Sequence, residues 1–395
     1  MTVLFIADDS LFPTNSGGRV EALGELHGLI ELGIPVRLLV SHRLDISDKD
    51  KELHRAIDPE AVFLKRSSFL TSTICRPWSP YQLASRRMTL AQTRELIGGS
   101  TIRAVIASHE WTIDLAHRAA KVCKAPVILR SHNDEVAYMN SLAQDAYAIQ
   151  RLYYRAEAVR LRWALASLME KVCLAAVLSD ADSHPYESLG VRTQLIPPVL
   201  TESSEEQRTA DRRPPESSEI LFVGSLDAPQ AVQGLKWFIT DVLPLIRESF
   251  PSAVLVIAGR RASPGLVQEL KSNPHVRYMG EVRDLEPTVS SVRIFINPVF
   301  SGSGVNMKVG PPSQHGVPIV STSIGARGLD AIASGLSVAD SPIEFSKLCV
   351  DLLTSDDLWA SKSKLLQRNI RSFTPLAAGT ALATLVHDLS GEKTA

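Results

Sequence analysis

Cysteine is scarce in this chain: four among 395 residues, at positions 75, 123, 173 and 349. They stand singly, so none has the short spacing of a zinc site or redox motif. Four free thiols in a reducing, cytoplasmic setting is the simplest expectation, and a disulfide scaffold is excluded. An excess of either charge is missing too. Lys and Arg total 42 against 43 Asp and Glu, too even a balance to hold nucleic acid by counterion release. Long apolar runs are also absent. The first, Val3–Ala7, stops after five residues and follows no basic leader, so no signal peptide is expected. No run approaches the roughly 18 residues of a membrane span. What the chain does have is length and 45% hydrophobic residues. That excludes disorder and suits two domains of about 100–200 residues each.

Apolar runs alternate with helical periodicity from end to end. Residues 3–7 read as a buried strand, Val20 to Ile30 as a helix stopped by Gly33, and 35–40 as the next strand, a βαβ unit. Further strands are expected at 104–107, 126–129 and 175–178, and a long helix or helix pair at 141–173. Between 197 and 218 apolar residues nearly vanish, which marks a linker or exposed loop. Beyond it, strands are expected at 220–223, 253–258, 276–279, 293–297, 318–321 and 336–338. Helices fall between them at 231–249, 264–272, 284–291 and 313–316, with another at 342–354. Such alternation predicts an α/β fold of two doubly wound, Rossmann-like domains facing each other across a cleft. The expected division is 1–196, a linker at 197–218, a second domain at 219–373, and a final helical segment at 374–395.

Ligands in such folds sit at the carboxyl ends of strands, and four loops occupy that position. Ser16-Gly17-Gly18 opens a helix, where paired glycines let backbone N–H groups approach a phosphate or sugar; an ordinary βα turn reads the same. His109-Glu110-Trp111 and Ser131-His132-Asn133 each put an imidazole at a strand end, for hydroxyl contact or for structure. Phe300 to Lys308 is a Gly/Ser loop ending in a cation, suited to a diphosphate or to a flexible turn. Asp180-Ala181-Asp182 imitates a metal-binding pair, but its Ser neighbours favour a capping turn, and no histidines have metal-ligand spacing. The Arg-rich helix carrying Arg151, Arg155, Arg160 and Arg162 could lie on an anionic membrane; with Glu157 and Glu170 among its residues it reads rather as a solvated face.

The ordered series Ile220–Leu226, Gly234–Phe238, Val242–Ile246, Val254–Gly259, Val276–Gly280, Ile294–Pro298, Gly316–Thr322 and Gly325–Leu329 resembles the donor domain of a GT-B glycosyltransferase of the retaining family 4 (group 1) type. The first half resembles that family more loosely, through Gly17-Gly18, His109-Glu110-Trp111 and Arg130–Asn133. A helix near 376–390 resembles the segment that crosses back to the first domain. The resemblance implies a sugar-nucleotide donor held by the second domain and an acceptor held by the first. It implies transfer without a metal or other cofactor. The acceptor would be a glycan, a lipid-linked sugar or a small-molecule hydroxyl, and peripheral contact with the inner face of a membrane is compatible with these.

Carried over residue by residue, His132 and His109 become the catalytic candidates. Gly17, Gly18, Gly224, Ser225, Arg260, Val282, Arg283, Gly302, Ser303, Gly304, Asn306 and Lys308 become the donor-binding ones. Three positions depart from the family pattern. Ser225 stands where an arginine is usual, Gln233 replaces a lysine, and Pro311 takes the place of the glutamate expected to grip the ribose. Pro311 and Pro312 are expected to delay and shorten their helix, leaving Arg260, Arg261, Asn306 or Gln314 to compensate. The departures keep two alternatives open: a catalytically silent binding or partner subunit, and a sugar-nucleotide epimerase on the same fold.

Overall fold

The computed structural model describes residues 2–14, 16–200, 213–282, 284–302 and 304–391. It divides into two compact units, Met1–Val199 with Phe373–Ala395, and Leu200–Ser372. Most of the expected linker, residues 201–212, lies outside the described residues, as do Arg283 and Ser303.

The first unit is built on a parallel sheet of seven strands: β1 (Thr2–Ala7), β2 (Val36–His42), β3 (Val62–Lys65), β4 (Ile102–Ser108), β5 (Val127–Arg130), β6 (Leu174–Val177) and β7 (Thr193–Leu195). Their order is β3-β2-β1-β4-β5-β6-β7. Leu4 and Ile6 of β1 pack with one hydrophobic cluster, and Val3, Phe5 and Ala7 with another. Because both faces are covered by helices, these strands read as unbroken apolar runs rather than alternating ones. The expected strands are present. The two short edge strands, β3 and β7, escaped the sequence pattern because four and three residues leave too little periodicity to recognise.

The helix Gly17–Glu31 lies against the last helix, Pro375–Ser390. Two glycines permit the approach: a Cβ on Gly28 would stand 1.9 Å from the carbonyl oxygen of Pro375. The stretch 141–173 resolves into the end of helix Glu135–Asp145 and the helix Ala148–Met169. The solvent face of the second does carry arginines, but large apolar side chains stand exposed beside them. Asp180–Asp182 forms a 3-10 turn in which the Ser179 hydroxyl donates to Asp182 Oδ2 at 2.6 Å.

The second unit carries a parallel sheet of β8 (Glu219–Ser225), β9 (Val254–Arg260), β10 (Val276–Gly280), β11 (Ile294–Asn297), β12 (Ile319–Ser321) and β13 (Leu336–Val338). The order is β10-β9-β8-β11-β12-β13. Each sheet reverses its winding once, between β1 and β4 and between β8 and β11, and the carboxyl ends of those strands define the candidate sites. The helix expected at 313–316 runs instead over Gly310–Gln314, after a 3-10 turn at Met307–Val309. Pro311 and Pro312 do not delay its start. They sit within its first turn, where no intrahelical N–H is needed, and the helix is only five residues long.

Candidate functional site

In the first unit, the loops after β1, β4 and β5 meet at the winding reversal. His109 follows β4 with φ of 90°, a left-handed conformation rarely held by a side chain larger than Gly or Asn. Its N–H donates to the Arg130 carbonyl at 2.8 Å. This turn sets the imidazole between two carboxylates, Nδ1 3.0 Å from Glu110 Oε2 and Nε2 3.2 Å from Glu135 Oε1. Burial works against its charge, but Glu110 and Glu135 outweigh it and hold His109 well above the ordinary histidine value. Glu110 is further fixed by the hydroxyls of Tyr186 and Ser131. His109 is thus a buried imidazole flanked by two carboxylates that favour its charged form.

His132 is its opposite. Its Nε2 lies 3.3 Å from Ser108 Oγ, and its Nδ1 faces Gly18, where an added Cβ would stand 3.6 Å away. The two imidazole rings are 5.5 Å apart. Burial, then the positive charges of His109 and Arg130, pull His132 down to about 3. A neutral imidazole beside a glycine loop can exchange hydrogen bonds with a hydroxyl but is no proton donor near neutrality. The linkage follows from the depressed value. His132 contributes stability that is complete above its unfolded value near 6.5 and is lost as pH falls toward 3. Wild-type protein is expected to lose stability relative to His132→Gln over that window, read by urea denaturation at successive pH values. A pH-independent difference would show that His132 charges freely.

Two buried ion clusters surround this pair. Asp8, at the end of β1, accepts from Arg86 and lies 3.8 Å from Arg66. Arg130, fully buried, donates from Nη2 to Glu21 Oε1 at 2.6 Å, from Nε to Glu25 Oε1, and from Nη1 to the Ile196 carbonyl at 2.9 Å. Glu21 in turn accepts the N–H of Val199 at 2.9 Å. Arg130 therefore ties the helix that begins at Gly17 to the end of β5, and so positions Gly18 against His132.

In the second unit, β8 ends in Gly224 and Ser225. A Cβ on Gly224 would stand 2.9 Å from the Phe222 ring, so only glycine fits. Ser225 donates to Asp227 at 2.7 Å and accepts from Arg260 Nε at 3.3 Å, while Arg261 pairs with Asp227 at 3.0 Å. Val282 is half-buried beyond β10, after Gly280 at φ of 76°. Gly302 and Gly304 both have positive φ, 126° and 74°, and the Gly302 carbonyl accepts from Arg327 Nη2 at 2.9 Å. Asn306 donates to Asn297 Oδ1 at 3.1 Å, and Asn297 to the Gly325 carbonyl at 2.9 Å. The Asn306 amide is thus committed to bracing the loop. Lys308 places its ammonium 6.0 Å over the Phe222 ring. No carboxylate lies within ion-pair reach of it among the described residues, and burial pushes it below the ordinary lysine value.

These side chains occupy a domain of recognised kind. Residues 217–355 match the family model described as Glycosyl transferases group 1. This stretch is similar to the group 1 glycosyl transferase domains. An uncharacterised 44.6 kDa protein of the cps region of Klebsiella pneumoniae is 26% identical to the chain over 358 residues, 87% of this chain and 89% of that protein. Among solved structures, Anabaena Alr3699/HepE in complex with UDP and glucose superposes with a TM-score of 0.63 at 12% identity, over 98% of this chain and all of that one. The pneumococcal O-GlcNAc transferase GtfA, in complex with UDP and GlcNAc, gives 0.65 at 11% identity over 99% of both chains. The two Rossmann-like domains therefore have the GT-B fold.

Within the first unit the structure brings Gly18, His109 and His132 together. Within the second unit it brings Gly224, Ser225 and Arg260 together. Lys308 joins them through Phe222, which its ammonium overlies and which a side chain at Gly224 would strike. Of the residues expected to compensate for Pro311, Asn306 is bonded to Asn297, Arg260 to Ser225 and Arg261 to Asp227. Sequence reasoning missed Glu110 and Glu135 as the jaws on His109, Arg130 with Glu21 and Glu25 as the brace, and Arg327 as the clamp on the glycine loop. The usable signals were Asp8 directly after an apolar strand, and acids at 21 and 25 on the apolar face of a helix.

Proposed function

We propose that the protein transfers a sugar from a nucleoside diphosphate sugar to an acceptor hydroxyl. The observation that carries this reading is Lys308: a partly buried ammonium with no carboxylate in ion-pair reach among the described residues, following a loop whose Gly302 and Gly304 hold positive φ. Such a place favours an anion of the size of a diphosphate. In the reaction the bond from the anomeric carbon to the phosphate oxygen breaks, and a bond from that carbon to the acceptor oxygen forms. The acceptor proton passes to the departing diphosphate. Lys308 and the N–H groups of Gly302 and Gly304 stabilise the charge that develops on the leaving group, the largest need of such a step. Neutral His132, with the Gly17-Gly18 loop, suits recognition of sugar hydroxyls. His109, its charged form favoured by two carboxylates, adds a fixed positive field rather than a moving proton. Retention of configuration is the course expected from the family resemblance.

UDP is the first nucleotide to try, because it occupies both solved structures named above. Calorimetry against UDP, GDP and their sugars is expected to show binding by one of the two series, followed by donor consumption when acceptor hydroxyls are present. Absence of any nucleotide binding at millimolar concentration by the folded protein would overturn the reading. Product formed without an acceptor would favour the epimerase alternative.

A further inference from the structure

The helix Ala148–Met169 has two apolar faces. Ala158, Leu161, Leu165 and Met169 are buried against the first unit. On the opposite side Ile149, Leu152, Val159 and Trp163 are 87%, 71%, 57% and 77% exposed. At 3.6 residues per turn these four fall into one stripe, about 20 Å long, with Ala156 between them. Arg155 and Arg162 flank the stripe on one side and Arg160 on the other, with Arg151 toward its amino end. The helix has a single acidic residue, Glu157, which is buried and bound to Arg160 and to the Tyr81 N–H. Its solvent face therefore carries no negative charge.

The neighbouring surface continues the pattern. The helix Phe69–Cys75 lies alongside, with the Phe69 ring 6.3 Å from that of Tyr153, and it exposes Leu70 and Ile74 before an 88% exposed Trp78. Of the six basic residues from Ala61 to Arg94, Arg66 and Arg86 belong to the Asp8 cluster and Lys65 and Arg76 pair with Asp45 and Asp114, which leaves Arg87 and Arg94 exposed on the surface. Single exposed apolar residues are ordinary on protein surfaces. An aligned stripe with aromatic residues and arginines on its borders is not.

We propose that this face docks on an anionic lipid bilayer. The helix lies in the headgroup plane, its apolar stripe reaches the acyl boundary, and its arginines meet lipid phosphates. Charge complementarity selects this occupant. A second copy of the chain would set arginines against arginines, a like-charge contact that disfavours self-association here. The inference rests on the helix alone and holds whether or not the transferase reading does.

The test is flotation of the full chain with vesicles of phosphatidylcholine, pure or mixed with phosphatidylglycerol. Binding is expected only with the anionic lipid, weakening as salt rises, with a blue shift of tryptophan emission that is lost in Trp163→Phe to the extent that Trp163 inserts. Leu152→Ser with Trp163→Ser is expected to lower partitioning at least tenfold, and each of Arg155→Gln and Arg162→Gln about fivefold. These side chains are exposed, so the variants should fold, which circular dichroism checks. UDP calorimetry on the same preparations reads the donor site separately. Equal binding to neutral vesicles, no binding to anionic ones, or unchanged partitioning of the double-serine variant would overturn the proposal. So would self-association in solution that the double-serine variant abolishes.

Discussion

Arg130→Met is expected to destabilise the protein by about 3–5 kcal/mol, the cost of leaving buried charges without their partner. Arg130 is wholly enclosed, and both Glu21 and Glu25 are enclosed with it. Removing the guanidinium leaves two carboxylates facing each other without a cation and also strands the Ile196 carbonyl. In the wild type, burial and the nearby Glu21 already push Glu25 up to about 8 against the pull of Arg130. A raised carboxyl value means that its stabilisation is complete below the unfolded value near 4.5 and is lost as pH rises toward 8. Without the pull of Arg130 the Glu25 carboxyl rises further, so the deficit should be larger at pH 8 than at pH 5. Urea denaturation at the two values reads this. Adding Glu21→Gln and Glu25→Gln to Arg130→Met should recover part of the loss, because the uncompensated charges are then gone. A deficit that is the same at both pH values would show that the carboxylates find other partners.

Lys308→Ala is expected to weaken nucleoside diphosphate binding by roughly tenfold to a hundredfold, the equivalent of about 1.5–3 kcal/mol for a charge-assisted hydrogen bond. The ammonium is partly buried and has no carboxylate to satisfy it among the described residues, and the only cause acting on its titration is burial. Its removal therefore deletes attraction for an anion without breaking an internal ion pair, and stability should be little changed or improved. Calorimetry with UDP measures the first effect and thermal unfolding without ligand the second. Lys308→Arg keeps the charge and is expected to retain much of the affinity. Unchanged UDP affinity in Lys308→Ala would place the diphosphate elsewhere.

Much of the second unit was legible because parallel strands covered on both faces leave continuous apolar runs, and glycine marks their turns. The strands from Ile220 to Val338 and the glycine loop ending at Lys308 were found this way, while the likeness of that stretch to group 1 domains rested on its ordered motifs. The first-unit site was only half legible. His109 and His132 stood out as imidazoles at strand ends, yet nothing in their spacing distinguished a ring held toward its charged form from a neutral one. That difference comes from Glu135 and Glu110 converging on one ring, and from Arg130 and the charged His109 lying near the other. Converging groups drawn from β4, β5 and the helices beyond them have no local signature.

The same division holds for the Arg-rich helix. Its sequence shows arginines and aromatics but only weak amphipathicity, because one apolar face cancels the other. Only packing reveals which face was already occupied by the first unit, and hence that Ile149, Leu152, Val159 and Trp163 are left over. By itself, the sequence determined the strand and helix alternation, the division into two α/β halves and the loops at strand ends. These depend on periodicity and on backbone limits that act within a few residues. Tertiary structure decided the opposite shifts of His109 and His132, the brace around Arg130, the absence of a carboxylate beside Lys308 among the described residues, and the exposed stripe. Each of those depends on burial and on charges brought close from distant parts of the chain, where a low dielectric makes a few ångströms decisive.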